Sequence, residues 1–360
     1  MKRILVALLS VVSLSGLTAD DWSVIPCPEA IGATSSAALG EGYYIDASAL
    51  WWKTGGDELD YGMVRYEYDN GSTTSYIQRY HDMKMSTNVG FKIGAGMPFP
   101  CYNWTLDAEW THFVNHTTSR RNDSADPNAI QTIFAIPYIS GSEIYEPSGS
   151  IVTASLEGHY KVRYDVVDIE FGKWLGRRCS MFGFRPHAGI RMANIRESLT
   201  GDLCTNSVDD YSYESKVVND FIGIGVKAGF DATVAIYRGL SLIGKASGSI
   251  VWGRTKIDLK AIGIPDGAPA DSNLTVKSKE DYLQGRAMAD LALGLNYVTE
   301  ICCLPIDVEL DWELRYLFGQ HRFFSNNAFA GFGPQFPTLE NKKNGDLTLQ
   351  GLTLKFAFDF

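Results

Sequence analysis

The final segment of the chain alternates between apolar residues and residues that are polar or small. Its apolar members are Leu352, Leu354, Phe356, Phe358 and Phe360, and Thr353, Lys355, Ala357 and Asp359 lie between them. This period of two predicts a β-strand with one apolar and one polar face, because successive strand side chains point to opposite sides. A helix would scatter the same apolar residues around its axis.

The alternation recurs along most of the chain. Six further segments show it clearly: 89–97, 104–110, 184–192, 222–230, 287–297 and 306–318. Three others, 43–52, 160–173 and 240–252, show it more weakly. With the final segment these make ten predicted strands, each about the 9–11 residues that a tilted transmembrane strand needs, or longer.

The connections between these strands alternate in length. Short connections fall at 98–103, 174–181, 231–239 and 298–305, and long ones at 53–87, 114–159, 193–217, 253–283 and 319–346. This asymmetry predicts an all-β, antiparallel up-and-down transmembrane barrel with short periplasmic turns and long extracellular loops. The two longest loops contain further strand-like stretches at 62–68, 74–80, 130–139 and 151–156, so barrels of 12 to 16 strands also fit.

The N-terminus has the pattern of an export signal. Lys2 and Arg3 precede the apolar run 4–17, which is too short to span a membrane as a helix. We predict a signal peptide at 1–19, cleaved after Ala19 with Gly16 as the alternative site. A periplasmic segment at 20–42 and the barrel at 43–360 follow.

Composition narrows the remaining classes of function. The net charge is −10 and no basic cluster occurs, which argues against nucleic-acid binding. Gly223, Gly225 and Gly229 lack the spacing of a nucleotide loop and lie within a strand pattern, so small residues on the inner face are the better explanation. No cofactor or metal site is predicted.

The six cysteines are unevenly placed. Cys27 lies in the N-terminal segment, and Cys101, Cys179, Cys302 and Cys303 lie in the short turns, whereas Cys204 lies in an outer loop. Because the periplasm is oxidising, we predict disulfides among the first five. Five is an odd number, so at least one thiol stays free or bonds to another protein.

Charged residues on the polar strand faces are candidates for lining a water-filled lumen. The candidates are Asp46, Lys92, Asp107, Glu109, Arg185, His187, Arg191, Lys227, Lys245, Arg286, Asp290, Asp307, Glu309, Asp311, Glu313, Arg315 and Lys355. The four acids from Asp307 to Glu313 form a column along one strand, and basic residues of other strands would oppose it. Such columns would set up a transverse field that selects ions. The alternative is a solvated wall with no special role.

Four stretches and the terminal residue resemble the major outer membrane protein family of pore-forming barrels, of the Legionella and chlamydia-related type. The stretches are 43–52 (YYIDASALWW), 98–111, 164–172 and 184–191. Phe356, Phe358 and Phe360 resemble the assembly signal that ends bacterial outer-membrane barrels. The resemblance implies a porin in the bacterial outer membrane that contacts lipid and the barrel-assembly machinery. It also implies disulfide links through the cysteines of the short turns, to a homo-oligomer or to other envelope proteins.

Two other functions compete with a diffusion pore. A structural or adhesive barrel would use the long loops, which are rich in Tyr, Asn, Ser, Asp and Gly. A barrel hydrolase would need a catalytic histidine near the outer rim, where His112 and His116 lie close in sequence to Asp107 and Glu109. No Gly-x-Ser-x-Gly motif occurs, so we predict that the chain is not an enzyme. Ten strands leave little room in the lumen, whereas 16-stranded porins keep an aqueous channel.

Overall fold

A computed structural model describes thirteen stretches of the chain. They are residues 43–57, 59–69, 74–99, 103–124, 130–135, 141–144, 153–175, 181–206, 211–237, 239–264, 274–301, 304–324 and 342–359. The predicted signal peptide, the segment 20–42, Phe360 and the five disulfide candidates lie outside them. Within these stretches there is no helix long and apolar enough to cross a membrane.

The described residues form fourteen strands. They are β1 Tyr44–Gly56, β2 Asp60–Asp69, β3 Thr74–Asp82, β4 Thr87–Phe99, β5 Trp104–Ser124, β6 Ile130–Ala135, β7 Gly141–Ile144, β8 Thr153–Lys173, β9 Phe182–Asn206, β10 Tyr211–Tyr237, β11 Leu240–Ile264, β12 Leu274–Ile301, β13 Leu304–Phe324 and β14 Lys342–Asp359.

Ten of these strands close into an antiparallel barrel. The order is β1-β14-β13-β12-β11-β10-β9-β8-β5-β4, and β4 pairs back onto β1. The first and last strands pair in register from Tyr44 opposite Asp359 to Gly56 opposite Leu347. The predicted all-β antiparallel barrel is confirmed, and its ten strands are the ten that alternation predicts.

The extra strands of the long loops do not widen the barrel. β2, β3, β6 and β7 form a separate four-stranded sheet in the order β3-β2-β6-β7. The stretch 151–156 belongs in part to β8, which begins at Thr153. The barrel therefore has ten strands, and the wider counts that the sequence left open are not formed.

Seven neighbouring strands, β5 and β8 to β13, contain 21 to 28 residues and are longer than the sequence predicts. β9 and β10 run through most of the predicted loop 193–217. The strands β8 to β12 cross the membrane and continue beyond it as an outer extension of the barrel wall. The predicted strands ended too early because the hydrophobic alternation changes phase within each long strand.

The phase change is visible in β8 and β11. Below it, Ile169 and Trp252 point outward and are exposed, with charged residues on the inner side. Above it, Tyr164 and Ile257 point inward and are buried, and charged residues cover the outside. Lipid requires an apolar outer face, whereas water requires a polar one, so the phase change marks the outer boundary of the membrane.

The small sheet lies across the outer opening of the barrel. Leu59 and Tyr61, at the start of β2, are buried, and a Cβ added to Gly158 on the inner face of β8 would lie 2.4 Å from the Tyr61 ring. Glycine at 158 therefore makes room for Tyr61. The loop sheet is anchored inside the wall of the outer extension.

Candidate functional site

The charged lumen candidates converge on the inner wall of the membrane-spanning part. All of them have buried or half-buried side chains there, except that Arg286 lies higher, within an apolar layer. The four acids of β13 form a column, and basic residues of other strands meet them in direct ion pairs. A pore-lining role for these residues remains a prediction.

Arg191 organises one side of this network. Its guanidinium is fully buried and donates to Asp168, with Nη2 2.7 Å from Oδ2, and to Asp290 at 2.5 Å. Lys227 Nζ lies 2.7 Å from the same Asp168 oxygen and 2.5 Å from Glu170 Oε1. Each cation therefore contacts two carboxylates, which compensates in part for its removal from water.

The acidic column of β13 is neutralised from three directions. Lys92 of β4 donates to Glu313, with Nζ 2.6 Å from Oε1. Lys245 of β11 pairs with Glu309 and lies 3.7 Å from Asp311. Arg315, on β13 itself, lies 3.5 Å from Glu313 and stands over the ring of Trp52 with 5.1 Å between its Cζ and the ring centroid. The column is thus part of a cross-linked wall.

Glycines on the inner face let these pairs reach across an intervening strand. Arg185 of β9 contacts Asp107 of β5 over Gly172 of β8, where an added Cβ would lie 2.6 Å from Arg185 Nε. Gly294 of β12 has the same relation to Asp311, at 2.0 Å. A side chain at either position would occupy the space that a charged group now fills.

Two adjoining cavities remain between the ion pairs. Their volumes are about 170 Å³ and about 100 Å³, and Tyr44, Asp231 and Lys245 line both. Sequence reasoning missed Tyr44, Asp168, Glu170 and Asp231. The alternation of Asp168 and Glu170 with the outward Ile169 and Phe171 was the signal that could have found two of them.

The lining of the described lumen is acidic overall. Eleven Asp and Glu side chains face seven Lys and Arg side chains in the two cavities and their contacting pairs, an excess of four carboxyl groups. The acidic side chains are Asp46, Asp107, Glu109, Asp168, Glu170, Asp231, Asp290, Asp307, Glu309, Asp311 and Glu313. The cations are Lys92, Arg185, Arg191, Lys227, Lys245, Arg315 and Lys355.

An apolar layer closes the lumen above this charged region. Its side chains project inward from most of the barrel strands and are at most 3% exposed. They include Leu50, Trp52, Phe113, Tyr164, Ile195, Phe221, Val251, Met288, Leu317 and Leu349. Trp52 and Phe113 pack with ring centroids 5.5 Å apart. This packing fills the described lumen at this height with apolar side chains.

A buried polar cluster lies within the outer part of this layer. The register of β13 shifts between Leu317 and His321, and this β-bulge turns both Gln320 and His321 inward. His321 Nδ1 lies 2.8 Å from Glu197 Oε1, and the Tyr160 hydroxyl donates to the same oxygen at 2.8 Å. Burial acts to raise the pKa of Glu197, but His321 and Tyr160 outweigh it and hold this pKa below its usual value.

The histidines proposed for a hydrolase do not form the expected pairs. His112 points to the opposite face of β5 from Asp107 and Glu109, and its Nδ1 lies 2.5 Å from Asp165 Oδ1. His116 stacks on His159 with centroids 6.5 Å apart. The predicted proximity of His112 and His116 to Asp107 and Glu109 is therefore wrong.

The apolar outer belt, the closed antiparallel wall and the charged interior define an outer-membrane β-barrel. The chain belongs to the family described as Legionella pneumophila major outer membrane protein precursor, whose model matches residues 38–360. The predicted family is confirmed, and the family and fold support placement in the outer membrane. No curated protein sequence matches the chain.

Solved outer-membrane barrels show a distant likeness. The outer membrane protease OmpT from Escherichia coli is 12% identical, with a TM-score of 0.39, over 89% of this chain and 97% of that chain. A Pseudomonas aeruginosa FadL homologue is 7% identical, with a TM-score of 0.23, over 90% and 91%. The toluene transporter TodX of P. putida is 8% identical, with a TM-score of 0.20, over 91% and 92%. Likeness at this level carries no information on activity.

Proposed function

We propose that this protein is a porin-like outer-membrane channel of narrow bore that passes small cations in preference to anions. The observation that carries the proposal is the excess of four carboxyl groups along the lumen, around two cavities within the membrane-spanning part. In a confined path of low dielectric, an unbalanced negative lining lowers the energy of a cation and raises that of an anion. Transport is passive and involves no catalysis.

The apolar layer sets the expected size of the current. Conduction past this layer requires transient displacement of side chains such as Trp52 and Phe113. We therefore expect small, intermittent conductance steps rather than the steady current of a wide porin. Solutes larger than a hydrated ion would be excluded, because ten strands with a filled interior leave no wider route.

The test is single-channel recording of the refolded chain in a planar bilayer with a salt gradient. The reversal potential should favour cations. Replacing the four lumen acids Asp307, Glu309, Asp311 and Glu313 by Asn or Gln should move it towards anions. A matched control replaces Asp220, Asp258, Asp281 and Glu214, which lie on the outside of the extension, and should leave it unchanged. An unaltered reversal potential in the lumen variant would refute the proposed selectivity.

A second candidate is a closed structural barrel, and the apolar layer is the observation that favours it. In that case the long strands and the small sheet would form a rigid surface module. Disulfides through Cys27, Cys101, Cys179, Cys302 and Cys303 would link it into the envelope, and the outer loops could contact host cells. A folded, heat-modifiable barrel with no current, with or without reductant, would favour this candidate. Current that changes on reduction would favour a channel shaped by its periplasmic cysteines.

A further inference from the structure

The outside of the β8 to β12 extension carries nine Lys and Arg side chains and seven carboxylates, an excess of two positive charges. Six exposed cations there lie more than 4 Å from every described carboxylate oxygen, although Asp220 and Asp281 are the register partners of one of them, Lys256. The six cations are Lys161, Arg196, Lys216, Lys256, Lys260 and Lys277, and we call them the basic wall. The chain as a whole has a net charge of −10, so this surface has the opposite sign to the rest of the molecule.

The lateral register brings like charges together in the basic wall. Lys216 of β10 pairs with Lys260 of β11, and Lys260 pairs with Lys277 of β12, so three lysines lie side by side on neighbouring strands. Arg196 lies between Arg163 of β8, whose Nε donates to Asp165 at 2.6 Å, and Asp220 of β10, so its neighbours have opposite charges. Like charges directly opposite one another destabilise a sheet. An anion bound between them would relieve this repulsion.

The height of the basic wall indicates which anion it meets. Trp110, Met192, Ile224 and Trp252 lie in one lateral row at the top of the apolar belt, where aromatic residues mark the membrane interface. Lys256 and Lys260 follow Trp252 by four and eight residues on the same face of β11. With the strand rise and tilt, the basic wall lies roughly 10 to 20 Å outside that row.

We propose that the basic wall binds the phosphate groups of lipopolysaccharide in the outer leaflet. The phosphorylated headgroup and inner-core sugars of this lipid occupy the height of the wall. Clusters of Lys and Arg next to the membrane attract anionic lipid. The proposed lipopolysaccharide site depends on placement in the outer membrane but not on channel activity. A negative result in the conductance test would therefore not contradict it.

Binding of fluorescent deep-rough lipopolysaccharide to the refolded full chain in detergent tests the proposal. The variant Lys216→Gln/Lys260→Gln/Lys277→Gln should bind about a hundredfold more weakly, from the loss of three cations near an anionic surface. A matched control makes the same change in charge away from the wall, with the variant Lys53→Gln/Lys84→Gln/Lys173→Gln. Its affinity for lipopolysaccharide should stay within about twofold of that of the parent. Unchanged binding, or an equal loss in both variants, would overturn the proposal.

Two further measurements identify the anion that binds and check that the wall variant is folded. Dephosphorylated lipopolysaccharide should bind weakly, and equally to the parent and the wall variant. The proposal fails if the dephosphorylated lipid binds the parent as tightly as the intact lipid does. It also fails if heparin, a polyanion that is not a lipid, binds the wall while lipopolysaccharide does not. In lipid-free detergent the wall variant should unfold at the same temperature as the parent or a higher one, because repulsion is removed. A lower unfolding temperature would contradict the inferred strain.

Discussion

Replacing Trp52 by Ala should open the apolar layer and raise the conductance. Trp52 is fully buried, packs on Phe113, donates from Nε1 to Thr353 at 3.2 Å and lies beneath the Arg315 guanidinium. Trp→Ala in a packed core costs about 3–5 kcal/mol. We expect the upper part of that range, because a hydrogen bond and a cation–π contact are lost with the ring.

The assay combines bilayer recording with unfolding of the refolded barrel by heat or urea. The Trp52→Ala barrel should unfold more easily and show larger or more frequent current steps. Trp110→Ala is the matched control, since Trp110 is 41% exposed on the outer face of β5 and its loss leaves the lumen unchanged. If Trp52→Ala destabilises the barrel while its conductance stays that of the parent, the apolar layer is not the barrier to ions.

Three other predictions follow from the outer extension. His321→Ala leaves the buried carboxylate of Glu197 without its imidazole partner, and should destabilise the barrel by about 1–3 kcal/mol in urea unfolding; an unchanged midpoint would show that the two groups are not coupled. Gly158→Leu should displace Tyr61 and expose the small sheet to limited proteolysis, whereas a parent-like digestion pattern would contradict the proposed anchoring. Cys204 is exposed near the outer end of β9, so a membrane-impermeant maleimide should label it on intact cells and should not label the Cys204→Ser variant; absence of labelling in the parent would contradict the assigned orientation.

Phase-constant alternation made the membrane-spanning strands predictable. In β13 every second residue from Ile306 to Phe318 is apolar, because lipid contacts one face of the strand over its whole span. The strands 43–52 and 160–173 were weaker for a structural reason. Leu50 and Trp52 of β1, and Tyr164 and Val166 of β8, are apolar residues on the inner face, where they build the apolar layer.

Contacts across the lumen could not be predicted from local patterns. Lys92 meets Glu313 although 221 residues separate them, and Arg191 meets Asp290 across 99 residues. These partners depend on barrel closure, strand stagger and the glycines that open a path over intervening strands. The bulge that turns His321 inward has no clear sequence signal besides Gly319, whose φ of 61° favours glycine.

The sequence by itself located the ten strands, their outward faces and the family, because lipid imposes a period of two on every strand that touches it, but it left the total strand number open. Only the tertiary structure decided how far β8 to β12 continue, how the charges pair and that an apolar layer fills the lumen. Above the membrane, the outer face of each strand contacts water and the inner face contacts packed side chains. The alternation continues there, but polar residues now face outward and apolar residues face inward. Whether a strand face contacts lipid, water or the packed interior is decided only when the barrel closes, so local sequence alone could not predict this exchange of faces.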